Sequence, residues 1–246
     1  MKLIVIGCLC IHGFTGGPYE IEPLTEILKE KTDWIISIPT LPGHGKELAL
    51  DDVTHEDWLN HIDEAYQKLA EQVDTIYLIG FSMGGMMAAN LAAKYPVDRL
   101  VMLSPSRKYL CLSKMASEVK DLIKDRVTGE IEENLTYKNY QHKKGLIPFR
   151  AYVEFAKCIA KTRSSLENVT CPVLVLQGIE DGLVPYQSTH SIVEEISGEV
   201  EVIYYLDSKH LICLGDDQEV VVSAVYNYLT SDNASMKKEA PKLAES

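Results

Sequence analysis

At 246 residues, with 46% hydrophobic and 24% charged side chains, the chain is long enough to bury a large core, and α/β domains of this size are often undivided. A net charge of −12 at pH 7 argues against nucleic acid or an anionic membrane surface as a partner, and no apolar run approaches transmembrane length. The six cysteines, Cys8, Cys10, Cys111, Cys158, Cys171 and Cys213, show neither C-x-x-C pairing nor metal-ligand spacing, so free thiols in a reducing, cytoplasmic setting are expected.

In chain order, Leu3 to Ile11 reads as a buried strand within residues 2–11. The start, Met1 to Cys8, superficially resembles a lipoprotein signal, but its apolar stretch is too short for an export segment. The strand runs into His12-Gly13-Phe14-Thr15-Gly16-Gly17. These glycines suggest a phosphate loop only weakly, because no G-K-[ST] follows. A helix over Glu20–Glu30 and a strand near 34–39 come next, then a helix over His55–Gln72. The latter aligns Trp58, Ile62, Tyr66 and Leu69 on one face and begins with a Thr54/Asp57 capping box. A strand at 75–81 leads through Gly80-Phe81-Ser82-Met83-Gly84 into a helix from Met83 to Tyr95, stopped by Pro96. Strands near 98–104, 172–178 and 200–206 follow, and Pro185 opens a helix to about Ile196. From Ser106 to Asn168 there are only helical segments mixing charges with residues such as Tyr109, Met115, Phe149, Tyr152 and Phe155. After Ser231 the chain is polar and is expected to fray.

Alternating strands and helices predict an α/β fold with a doubly wound, mostly parallel sheet of about six strands. The core is read as residues 1–105 and 169–231, with 106–168 as a helical lid and 232–246 as a polar tail. The competing reading of 106–168 is an additional packing layer with no ligand contact.

The G-x-S-x-G between strand and helix has the features of a nucleophile elbow, which leaves Ser82 exposed at the apex of a sharp turn. A serine hydroxyl needs a base, and the base needs an orienting carboxylate. Downstream histidines are His142, in a polar stretch, His190, on a helix, and His210, in the loop after a strand. His210 is preferred because the carboxyl ends of parallel strands border the binding crevice. In the loop after strand 172–178, Asp181 is preferred over Glu180 because Gly182 suits a turn that aims a short side chain inward, and Asp207 is a weaker rival. The order Ser82, Asp181, His210 is the one this kind of fold uses. The backbone N–H groups of Phe14 and Met83 are the candidate oxyanion donors.

These segments resemble the α/β-hydrolases, and more closely the small-lidded bacterial carboxylesterases and monoacylglycerol lipases. The resemblance rests on His12-Gly13-Phe14-Thr15-Gly16, Gly43-His44-Gly45, Gly80-Phe81-Ser82-Met83-Gly84-Gly85, Asp181 with Val184-Pro185, and His210 before a terminal helix. It covers residues 3 to about 230. Such proteins usually have an extra strand pair before the His-Gly strand, whereas this chain begins at that strand. Many also have Gly before the catalytic His, where this chain has Lys209.

The expectation is therefore hydrolysis of short to medium acyl esters through a seryl ester, with no cofactor or metal. The substrate is a small-molecule ester and the protein is a monomer or small homo-oligomer, without stable membrane insertion. Thioester, peptide or carbon–carbon hydrolysis on the same triad is the main alternative. A receptor that keeps the fold and only captures a ligand is the third reading.

Overall fold

The computed structural model describes residues 4–108, 147–231 and 242–244. Its sheet is built from β1 (Ile6–Ile11), β2 (Ile35–Ser37), β3 (Thr75–Phe81), β4 (Arg99–Leu103), β5 (Val173–Gly178), β6 (Val200–Tyr205) and β7 (Lys242–Ala244). The spatial order is β2-β1-β3-β4-β5-β6-β7, and every neighbouring pair is parallel. Six strands match those read from the sequence. The seventh comes from the tail expected to be frayed, pairing Ile203 with Lys242 and Tyr205 with Ala244 at the edge of β6. Three residues are too few to show the period of two that marks a strand in sequence.

Strand periodicity separates two cores. Leu9 and Ile11 of β1, Ile76 and Leu78 of β3, and Leu100 and Met102 of β4 face one side. Cys8, Cys10, Tyr77, Ile79, Val101 and Leu103 face the other. Both faces are apolar because helices cover both, as parallel sheets require. Helices α1 (Glu22–Lys31) and α6 (Gln218–Thr230) cover the second face. On the first lie α2 (His55–Ala70), α3 (Met83–Lys94), α4 (Phe149–Arg163) and α5 (Ser188–Glu195).

The α1 region starts later than its apolar pattern implies: a 3₁₀ turn over Pro18–Ile21 precedes it, and Pro23 occupies its first turn. The α2 face is buried as expected and the Thr54/Asp57 capping box is present. Helix α5 begins at Ser188, three residues past Pro185, because tight turns join the Ser188 and Thr189 N–H groups to the carbonyls of Pro185 and Tyr186. The α3 helix is buried along nearly its whole length, from Met83 to Ala92.

Of the segment expected to form a lid, residues 109–146 lie outside the described residues, including Tyr109, Cys111, Met115 and His142. Its final part, α4, buries Ala151, Phe155 and Cys158 in the first core. Phe149, read from the sequence as one of the apolar residues of the lid, opens α4 and is 73% exposed.

The chain turns back at β1 and β3: β1 is followed outward by β2, and β3 returns to its other side. That reversal opens a crevice at the carboxyl ends of the strands, where ligands of such sheets bind. The loops after β1 and β3 border it.

Candidate active site

Ser82 is the N-cap of α3, with φ 55° and ψ −116°. A serine pays strain to adopt a positive φ, and such outliers persist only where the surroundings over-determine them. Here the surroundings are tight. A Cβ on Gly84 would overlap the carbonyls of Ile11 and His12, and one on Gly80 would overlap the carbonyl of Gly84. The elbow therefore presses against the end of β1, which is what holds the serine at the crevice.

His210 Nε2 lies 2.9 Å from Ser82 Oγ, and His210 Nδ1 lies 2.8 Å from Asp181 Oδ2. All three residues are less than one-tenth exposed. The loops after β5 and β6 come together at Gly178, where any Cβ would strike the Ser208 carbonyl. This contact brings Asp181 and His210 within reach of each other. Glu180 and Asp207 are both exposed to solvent, and His190 is exposed on α5. Lys209 is absent from the positive-φ residues, so the position before His210 needs no glycine here.

Asp181 has a full set of partners. Its Oδ1 accepts the N–H groups of Leu183 and Val184 at 2.9 Å each, and its Oδ2 accepts the Gln177 side-chain amide at 2.9 Å as well as His210. Burial pushes its carboxyl up, but the His210 charge and hydrogen bond and the two backbone donors outweigh it and hold the group below the usual carboxylate range. Asp181 is thus the ionised partner, His210 Nδ1 carries the proton, and Nε2 is the acceptor for the Ser82 hydroxyl.

The β1 loop is held by two buried side chains. The Leu41 N–H donates to His12 Nε2 at 3.0 Å, which leaves the proton on Nδ1 to donate to the Gly13 carbonyl at 2.9 Å. Burial and the neighbouring His44 lower the His12 pKa to about 3, so it is neutral. The Glu20 carboxylate accepts the Gly13 N–H at 2.9 Å. Gly45 N–H donates to the Gly16 carbonyl, tying the Gly43-His44-Gly45 turn to this loop. The Phe14 ring stacks on Phe155 with centroids 4.9 Å apart and meets Trp58, Tyr152 and His44 at 5.8 to 6.0 Å. Met83 is the first residue of α3, where helix N–H groups lack intrahelical acceptors and favour negative charge.

Sequence reasoning missed three residues here. Gln177 ends the apolar run of β5 and is fully buried, so a polar residue at an inward strand position was its only signal. Ser106 had no signal beyond lying near the end of β4, and Glu20, in the turn before α1, had none. Ser106 is fully buried, with its Oγ 2.9 Å from Ser82 Oγ.

The profile of the serine aminopeptidase S33 hydrolases matches residues 9–218. The chain belongs to this family. Its relatives include a thermostable monoacylglycerol lipase of Bacillus sp. (strain H-257), 28% identical over 88% of this chain and 87% of the relative. A carboxylesterase of Bacillus subtilis (strain 168) is 23% identical over 90% of this chain and 91% of the relative. Among solved structures, one of metagenome-derived lipolytic enzymes superposes with a TM-score of 0.73 at 22% identity, covering 92% of this chain and 96% of the other. The fold is that of the α/β-hydrolases, and the protein is a serine hydrolase. Among the described residues no helix is long and apolar enough to cross a membrane.

Proposed function

We propose that this serine hydrolase is a carboxylic-ester hydrolase of the carboxylesterase or monoacylglycerol lipase type, acting on short to medium acyl esters. The observation that carries the proposal is the unbroken chain of hydrogen bonds from Asp181 through His210 to Ser82. The names of the two Bacillus relatives, a monoacylglycerol lipase and a carboxylesterase, favour an ester over other acyl substrates.

In this reading Ser82 Oγ attacks the ester carbonyl while His210 Nε2 takes its proton. Asp181 holds the imidazole in the Nδ1–H tautomer and stabilises the imidazolium. The carbonyl oxygen gains charge and is met by the N–H groups of Phe14 and Met83, which His12, Glu20 and the start of α3 hold in place beforehand. His210 then protonates the leaving alcohol. In the second half, water attacks the acyl group as His210 takes a proton from it, and the carboxylic acid leaves as that proton returns to Ser82 Oγ.

Of residues 106–168, read from the sequence as a lid, only the described end supports an acyl site. The described end of that segment, α4, places Tyr152 and Phe155 against the ring of Phe14, giving an apolar surface beside the proposed oxyanion donor. Each methylene buried there contributes about 0.8 kcal/mol, so kcat/KM on p-nitrophenyl esters is expected to climb several-fold per added carbon and then fall once the site is full. The optimum is expected at short to medium chains. The same assay run with acyl-CoA and aminoacyl p-nitroanilides separates the alternatives: ester turnover exceeding both by orders of magnitude supports the proposal. Preferred cleavage of the anilides would replace it with an aminopeptidase. The five described cysteines are buried free thiols, which supports a cytoplasmic location.

A further inference from the structure

Ser106 is not part of the acyl-transfer relay, yet its hydroxyl touches the reacting oxygen. It follows β4 by three residues and is fully buried, with its Oγ 2.9 Å from Ser82 Oγ and its N–H donating to the Ser82 carbonyl at 3.2 Å. The direction of the hydroxyl bond follows from the neighbouring protons. Asp181 is ionised, so His210 Nδ1 carries a proton and Nε2 is bare. The single proton of Ser82 is then given to Nε2. What remains between the two serines is a bond in which the Ser106 O–H donates and Ser82 Oγ accepts.

We infer that Ser106 is a catalytic residue that assists the second half of the reaction, by donating a hydrogen bond to Ser82 Oγ as that oxygen leaves the acyl group. The inference rests on Ser82 being the nucleophile. An ester oxygen is a poor acceptor and a departing alkoxide is a strong one, so the Ser106 bond strengthens as the C–Oγ bond breaks. In this step water has already added to the acyl carbon and its proton is on His210 Nε2. The C–Oγ bond breaks, the pair returns to Oγ, and His210 returns its proton there, while Ser106 keeps its own. During acylation the same bond weakens as Oγ turns into an ester oxygen. Ser106 therefore favours deacylation and slightly opposes acylation, because only interactions that strengthen toward a transition state accelerate the step.

The two halves are separable by kinetics. One hydrogen bond of ordinary strength, about 1.4 kcal/mol, corresponds to about tenfold in rate. For Ser106→Ala with an activated p-nitrophenyl ester, kcat is expected to fall about tenfold, with KM falling alongside it. The value of kcat/KM and the rate of labelling by a fluorophosphonate, which both report attack by Ser82, are expected to hold or rise slightly. A pre-steady-state burst of p-nitrophenol is expected, with an amplitude matching the labelled fraction, so loss of folded protein is counted separately. Ser106→Thr, which keeps the hydroxyl, is expected to restore kcat and KM together to the parent values, with kcat/KM and the labelling rate unchanged. A parallel fall in kcat/KM and labelling rate without a burst would overturn the inference and make Ser106 a packing residue. Failure of the nucleophile reading is distinct: it appears as full activity in Ser82→Ala, whatever Ser106 does.

Discussion

The Asp181 carboxylate accepts four hydrogen bonds, two on each oxygen. Only one goes to His210, and the other three fix the carboxylate's orientation so that the imidazole has a single tautomer to adopt. Asp181→Asn keeps the shape but replaces an acceptor with an amide that can donate to Nδ1, turning the imidazole into the wrong tautomer. The expected loss in kcat is roughly 10³ to 10⁴. Glu180→Gln and Asp207→Asn are expected to change little, since both side chains face solvent. Steady-state kinetics on the three variants checks this, and a crippled Asp207→Asn beside a mild Asp181→Asn would reassign the acid.

At the scale of elements, two of the contacts that join α4 to the protein are made by Phe155 and Glu154. Phe155 stacks on Phe14 in the β1 loop, and Glu154 caps α2: its carboxylate accepts the His55 N–H at 3.1 Å and lies 2.6 Å from His55 Nδ1, with Lys157 at 2.8 Å. Lys157 and the two His55 donors outweigh burial and hold the Glu154 carboxyl at about 2. An unfolded glutamate titrates near 4.3, so the folded value is depressed. The group therefore adds stability above pH 4.3, and this is lost as pH falls toward 2. Glu154→Gln is expected to lower unfolding free energy by about 1 to 3 kcal/mol at pH 7, with the difference from the parent protein shrinking between pH 4 and pH 2. Urea unfolding across that range measures it, and a difference independent of pH would mean that shape rather than charge holds this junction.

For the whole molecule, the parallel sheet was legible because its strands are continuous apolar runs and its helices carry separate apolar faces. Residues 75–95 were clearest, since strand, glycine turn and helix follow one another without a gap. The contact among Ser82, Asp181 and His210 could be anticipated from their positions after three different strands, since a parallel sheet brings all such loops to one edge. Less was legible where burial depends on tertiary neighbours. Gln177 and Ser106 look ordinary in sequence and acquire meaning only when Asp181 and Ser82 arrive from elsewhere in the chain. Phe149 and Phe155 read alike as apolar residues, yet one faces solvent and the other packs on Phe14, because helical phase alone does not say which neighbour is present. The β7 strand depends on the free edge of β6, which no local pattern announces.

The central claim is that one serine, held by the elbow and activated by His210, performs the chemistry. The most direct test is labelling with a fluorophosphonate followed by peptide mass spectrometry, run on the parent protein and on Ser82→Ala. A single adduct on the peptide containing Ser82 is expected, with no adduct on Ser82→Ala and its ester hydrolysis lower by about 10⁴ to 10⁶ in kcat. An adduct on another serine, or near-parent turnover by folded Ser82→Ala, would contradict the account.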